Sequence, residues 1–184
     1  MPDRPDTSGS DTRDAGTDAA QANANRAHAR ALIQSLVDSG VRFVVCCPGS
    51  RSTALAMAAF EHPDLDLTVH WDERGASFFA LGIARATGIP AVWITTSGTA
   101  VANGMPAAVE ADADDVPLLL LTADRPPELR QTGANQTIHQ PGFFDRVARW
   151  SMDLPAPHAD GDPRSWATSG AQAVYRAQHP HAGP

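Results

Sequence analysis

Short, almost unbroken apolar runs recur along this chain, each followed by a polar turn and then by a stretch with helical spacing. Residues 41–47 are apolar apart from Arg42, Ala91–Thr95 is interrupted by nothing charged, and 117–122 is the purest aliphatic run. A strand with no polar face must be covered on both sides, which is the situation of a parallel sheet sandwiched by helices. Strand and helix periods that alternate in this way define the α/β class. The reading is therefore a parallel sheet with helices on both faces. Strands are expected at 41–47, 65–71, 91–95, 117–122 and 149–154. Helices are expected at 27–39, 53–60, 73–86, from the turn at 96–99 to about residue 111, and at 166–178. Gly40 suits the left-handed end of the first helix. Asp72 suits the N-cap of the third, whose apolar face would comprise Phe78, Phe79, Leu81, Ile83 and Ala84. The last helix and the Gly183-Pro184 turn should feed a sixth strand, which this sequence does not contain.

With 184 residues there is material for one domain of ordinary size. The net charge is −7, and all 14 cationic residues are arginine, which argues against nucleic acid as a partner because phosphate neutralisation needs a basic face. No run approaches the roughly 18 apolar residues of a membrane span, and no charged-then-apolar leader opens the chain. A cytoplasmic setting is expected. The two cysteines, Cys46 and Cys47, are adjacent. Neighbouring strand residues point to opposite faces, so the pair reads as core filler in a reducing compartment and not as a disulfide. Residues 1–25 carry no aliphatic side chain larger than alanine after Met1 and are expected to form a disordered tail, leaving 26–184 as the domain.

Ligands of open parallel sheets bind at the carboxyl ends of the strands. Turns at 48–52, 72–74 and 96–99 would each present free backbone N–H groups there, at the start of a helix. A long loop at 123–142, with three prolines, adds Asp124, Arg125, Arg130, Asn135, Gln136 and His139; loops of that length in compact domains are often functional. Several chemistries are excluded. The spaced glycine triplet of a dinucleotide fold is missing, and a glycine-lysine phosphate loop is impossible without lysine. The seven histidines are scattered and the Cys pair has no second pair, so metal-ligand spacing is absent. Gly-x-Ser-x-Gly is absent too. Taken singly, each candidate has an ordinary explanation. Glu73 complements a helix dipole, Arg51 and Arg125 could be surface ion-pair partners, Asn135 and Gln136 could cap loop backbone, and His139 reads as a loop residue. Their convergence at the mouth of one sheet is what points to a site.

Pro48-Gly49-Ser50-Arg51-Ser52-Thr53, Asp72-Glu73-Arg74-Gly75, Thr96-Ser97-Gly98-Thr99-Ala100, Leu121-Thr122-Ala123-Asp124-Arg125-Pro126-Pro127-Glu128-Leu129 and Gly133-Ala134-Asn135-Gln136 occur in this order. Together they resemble the N-terminal pyrimidine-binding domain of the thiamine-diphosphate-dependent synthases of menaquinone biosynthesis. Those enzymes make 2-succinyl-5-enolpyruvyl-6-hydroxy-3-cyclohexene-1-carboxylate from isochorismate and 2-oxoglutarate. The resemblance implies that Glu73 bonds the cofactor's pyrimidine ring nitrogen and promotes the imino form that deprotonates the thiazolium carbon. Such an acid needs a dry pocket, which Phe78 and Phe79 would suit. It further implies that Pro48, Gly49, Thr96, Ser97 and Gly98 line the cofactor. Ser50, Arg51, Arg125, Asn135 and Gln136 would bind the polycarboxylate substrates, the arginines through bidentate forks.

Family members continue into a middle domain and a pyrophosphate domain that holds magnesium (Mg2+) and the diphosphate. No metal ligands are therefore expected here, and this chain alone is expected to be inactive. The cofactor would lie between subunits of a homodimer or homotetramer. Two other readings stay open: a non-catalytic carboxylate-binding or dimerisation module, and another thiamine-dependent 2-keto acid decarboxylase or synthase. The latter would not be expected to share the 123–128 string.

Overall fold

The apolar runs pair into a four-stranded sheet, all parallel, in the order β2-β1-β3-β4. The strands are β1 (Phe43–Cys46), β2 (Asp66–Val69), β3 (Ala91–Thr95) and β4 (Leu118–Thr122). The computed structural model from which these come describes residues 15–184. The helices are α1 (Ala15–Asp38), α2 (Thr53–Phe60), α3 (Glu73–Thr87), α4 (Thr99–Ala102), α5 (Met105–Ala113) and α6 (Arg164–Gln178). Among the described residues no helix is long and apolar enough to cross a membrane.

Alternation along the strands divides the core in two. Val44, Cys46, Val92, Ile94 and Leu119 pack on one face with Ile33 and Leu36 of α1, Ala58 and Ala59 of α2, and Val174 and Ala177 of α6. Val45, Cys47, Ala91, Trp93 and Leu118 pack on the other with Ala76, Ala80 and Leu81 of α3 and Ala107 and Ala111 of α5. The two cysteines therefore enter opposite layers, and both are free thiols. This is the expected α/β architecture with helices on both faces. The expected ends of two helices also hold. Gly40, at φ +104, follows α1. The Asp72 side chain accepts the Gly75 N–H at 2.7 Å at the start of α3, and Gly88 closes that helix in the left-handed conformation.

Four expectations need correction. First, α1 begins at Ala15, so residues 15–25 are helical and not tail; the rest of the expected tail, residues 1–14, lies outside the described residues. Alanine is the best helix former, and the Gln21 amide anchors the extension by donating to the carbonyl of Pro157 at 2.7 Å. Second, the helix after β3 is broken at Asn103-Gly104 into α4 and α5. The Trp93 ring fills the space there: a Cβ on Gly104 would lie 2.3 Å from it. Third, residues 149–154 form no strand. Arg149 is held by Asp112, Asp115 and the Ala182 carbonyl, and its own N–H donates to Pro184 at 2.6 Å, so side-chain pairing and the chain's last residues occupy this segment instead of β4. Fourth, Phe78 and Phe79 are 39% and 48% exposed. The buried face of α3 runs through Ala76, Ser77, Ala80, Leu81 and Ala84, because a helix this close to a sheet needs small residues facing it.

Winding reverses between β1 and β3. The chain passes from β1 to β2 on one side and returns to place β3 on the other. A crevice forms at such a reversal, outside the carboxyl ends of the two strands.

Candidate functional site

Because all four strands are parallel, the loops that follow them leave the same edge of the sheet in the order of the strands. The ladder continues just beyond the strands and pins the first residue of each loop. Cys47 N–H donates to Ile94 O at 2.9 Å, His70 N–H to Cys46 O at 3.0 Å, and Ala123 N–H to Thr95 O at 3.0 Å.

At the reversal, the loops after β1 and β3 touch. A Cβ built on Gly49 would stand 2.4 Å from Thr96 Cβ, 2.8 Å from its Oγ1 and 2.9 Å from its Cγ2. Gly49 has ordinary extended backbone at φ −165, so close approach, not a special dihedral, is what requires glycine here. The chain then makes a single 3-10 turn over Ser50–Ser52 before α2. Pro48 and Ser50 are exposed, and Arg51 is half-buried. The Nε of Arg51 is inaccessible and has no hydrogen-bond partner, a cost of a few kcal/mol unless an acceptor reaches it.

Thr96, Ser97 and Gly98 are buried, and the long loop covers them. Ser97 Oγ donates to Gln136 O at 2.8 Å, and Gln136 Nε2 donates back to Ser97 O at 3.1 Å. Gly98, at φ +81, faces the Gln136 backbone so closely that a Cβ would lie 3.0 Å from its carbonyl oxygen. The Gly98 N–H donates to Gln140 Oε1 at 2.8 Å, and Gln140 Nε2 donates to Ala123 O at 2.9 Å.

Farther along the loop, Arg125 Nε and Nη2 donate to Asn135 O at 3.3 and 3.0 Å. Asp124 Oδ1 accepts the Arg125 N–H at 2.7 Å, while Asp124 Oδ2 lies 3.1 Å from Arg130 Nε. The Arg130 guanidinium continues to Asp153 at 2.7 and 3.1 Å. That hydrogen bond to Asp153, outweighing burial, raises the Arg130 pKa further above its already high ordinary value. A hollow of about 150 Å³ in this loop is lined by Arg130, Gln131, Gly133, Thr137, Ile138 and His139. None of Arg51, Glu73 or Thr96–Gly98 borders it.

Glu73 opens α3 at the end of β2 and is half-buried, with no hydrogen bond or ion pair among the described residues. Its carboxylate is felt by Cys47: burial first, then the Glu73 charge, push that thiol up to about 11. Phe78 and Phe79, both exposed, do not supply the dry surroundings expected of them. Val69 and Trp71, just before Glu73 in sequence, and Phe78 and Phe79, farther along α3, are all exposed, with Trp71 at 92%. The structure thus joins Gly49 to Thr96, Ser97 and Gly98 to Gln136, and Arg125 to Asn135. Among the described residues, no hydrogen bond or ion pair joins the side chains of Glu73, Ser50 or Arg51 to the others. Gln140 was not singled out from sequence; beside Pro141-Gly142 it reads as turn residue, and only the fold reveals what its amide holds. Among the described residues no group of three or more His, Cys, Asp or Glu side chains is placed to hold a metal ion.

A family model described as the thiamine pyrophosphate enzyme, N-terminal TPP binding domain, matches residues 26–143. The chain belongs to this family. Every predicted residue from Pro48 to Gln136 lies within the segment that matches the thiamine pyrophosphate enzyme domain. Among curated relatives, the chain is 61% identical over 161 residues to a protein of Rubrobacter xylanophilus, 54% over 153 residues to one of Salinibacter ruber, and 48% over 163 residues to one of Haloarcula marismortui. These alignments cover 88%, 83% and 88% of this chain. Each relative is named 2-succinyl-5-enolpyruvyl-6-hydroxy-3-cyclohexene-1-carboxylate synthase. The chain spans only 28%, 26% and 28% of their respective lengths, so what it shares with them is the thiamine pyrophosphate enzyme N-terminal domain.

Proposed function

We propose that this chain, over residues 26–184, is the pyrimidine-binding domain of a 2-succinyl-5-enolpyruvyl-6-hydroxy-3-cyclohexene-1-carboxylate synthase of menaquinone biosynthesis. The complete enzyme, a transferase, would decarboxylate 2-oxoglutarate and add the remaining four-carbon succinyl semialdehyde unit to isochorismate, releasing CO2. The observation that carries this reading is the 61% identity to a synthase of that name across 88% of the chain.

The residues present fit half of a thiamine diphosphate site. Gly49 and Gly98 stand where no Cβ fits, Gly49 against Thr96 and Gly98 against Gln136, and with Pro48, Thr96 and Ser97 they would line the pyrimidine. The half-buried, unpartnered carboxyl of Glu73 would hold a proton against the pyrimidine ring nitrogen. Bound there, thiamine diphosphate supplies the acidic carbon through which a 2-keto acid loses CO2. Arg51 would satisfy its buried Nε with a substrate carboxylate, which is the kind of acceptor that site lacks. Arg125, which rests on the Asn135 carbonyl, would turn its remaining donors to a second carboxylate, and Ser50, Asn135 and Gln136 would orient the substrates. The magnesium ion and the diphosphate would be held by the part of the enzyme beyond this domain.

The exposed Trp71, Phe78 and Phe79 support a second subunit packing against this end of the domain, giving a homodimer or homotetramer in the cytoplasm that would supply the dry surroundings Glu73 needs. A chimera tests the activity: this chain replaces the matching N-terminal portion of the Rubrobacter xylanophilus relative. It should convert isochorismate and 2-oxoglutarate with added cofactor and magnesium, and Glu73→Gln in it should abolish turnover. A folded chimera that decarboxylates 2-oxoglutarate but ignores isochorismate would favour another thiamine-dependent enzyme. A folded chimera inert to both would leave a binding module.

A further inference from the structure

We propose that Gln140 is a positioning residue: its single amide locks the turn after β3 to the loop after β4, so that both surfaces of the site move as one body. The inference rests on the site reading above only for what those surfaces bind; the lock itself rests on geometry.

Gln140 is 8% exposed, and both ends of its amide are used. Oε1 accepts the N–H of Gly98 at 2.8 Å and Nε2 donates to the carbonyl of Ala123 at 2.9 Å. These two bonds bracket the last rung between the flanking strands, Ala123 N–H to Thr95 O at 3.0 Å. One side chain from the far end of the long loop thus fixes the first residue of that loop to the third residue of the turn after β3. Gln136 makes a second, part-buried connection through Ser97; Gln140 differs in being buried as a residue and in holding the Gly98 N–H by a fully buried bond, whereas Gln136 is exposed overall. Gly98, at φ +81, is the residue that Gln140 holds in the turn after β3.

The lock needs an acceptor and a donor on one planar group, a requirement that separates its variants. Gln140→Met keeps the volume and loses both bonds. Gln140→Glu keeps the shape. When protonated it still accepts from Gly98 and donates to Ala123; when ionised it turns an oxygen lone pair on the Ala123 carbonyl.

Two readouts test the proposal. In the 184-residue chain, the Gly98 amide of Gln140→Met should exchange with solvent at least tenfold faster than wild type, while amides of β1 and β3 keep their protection. Gln140→Glu should return to wild-type exchange at low pH, after correction for intrinsic rates, and lose it as the carboxyl ionises. In the complete gene product, Gln140→Met should raise the KM for thiamine diphosphate and for substrate together, at least tenfold, with kcat at saturation held within a few-fold. Unchanged Gly98 exchange in Gln140→Met would overturn the lock. So would loss of kcat at unchanged KM, which is what a smaller folded fraction produces. A wild-type protein that binds no cofactor would remove the site reading, and Gly98 exchange alone would then decide the lock.

Discussion

Replacing Gly49 with alanine adds one methyl group where the loops after β1 and β3 touch. Its position is fixed by the backbone: 2.4 Å from Thr96 Cβ and under 3 Å from Oγ1 and Cγ2. Rotating the Thr96 side chain cannot relieve the shortest contact, because Cβ does not move with χ1, so one loop must shift. Overpacking of this kind costs about 1–3 kcal/mol. Against it stands the smaller unfolded-state entropy of alanine at an extended backbone position, about 0.4–1 kcal/mol in favour of the variant. At mid-range values the net loss is about 1.3 kcal/mol, or roughly 3 to 5 °C in Tm for a chain of this size. Thermal and urea unfolding of Gly49→Ala, Thr96→Gly and the double variant measures it. Thr96→Gly removes the atom that is struck, so the double variant should be more stable than the sum of the singles by about 1 kcal/mol or more. Gly49→Ala with an unchanged or raised Tm, or strict additivity, would refute the close approach and with it the proposed crevice.

Burial holds both thiols at about 11, against an ordinary value of 9.0. The folded protein therefore binds more protons than the unfolded chain between pH 9 and 11. The thiol contribution to stability is complete below pH 9 and declines as pH rises through 11, by at most about 1.4 kcal/mol per pH unit per thiol; urea midpoints flat across that window would contradict this. Glu73→Gln should lower the Cys47 titration and leave that of Cys46 in place, since only Cys47 feels the Glu73 charge; Cβ chemical shifts against pH report it. Gly104→Ala places a Cβ 2.3 Å from the fully buried Trp93 ring and should cost about 2 kcal/mol in urea unfolding despite alanine's better helix propensity, with a wild-type midpoint counting against that packing.

What was legible in the sequence was whatever local pattern alone determines. Three apolar runs became the central strands β1 and β3 and their neighbour β4, the segment at 65–71 became the half-exposed edge strand β2, and Asp72 capped α3 through its own side chain. Tertiary contacts decided the rest. The alanine-rich start of α1 has no apolar stripe, and it is ordered by its docking near Pro157. Residues 149–154 have strand-like composition, yet Arg149 is drawn to Asp112 and Asp115, residues distant in sequence. Phe78 and Phe79 fit an apolar helix face until the small residues beside them prove to be the ones that meet the sheet. At the site, spacing located the loops and their charged residues, while the contact of Gly49 with Thr96 and the amide bridge of Gln140 exist only once two loops are brought together.

The central claim is that this domain supplies one half of a thiamine diphosphate site. Calorimetric titration of thiamine diphosphate with magnesium into the 184-residue chain, beside the same titration into the complete gene product, tests it most directly. The account expects saturable binding to the complete protein and none to the chain alone. Tight binding to the chain alone would mean that it carries a diphosphate site of its own, and no binding to either would remove the cofactor from the account.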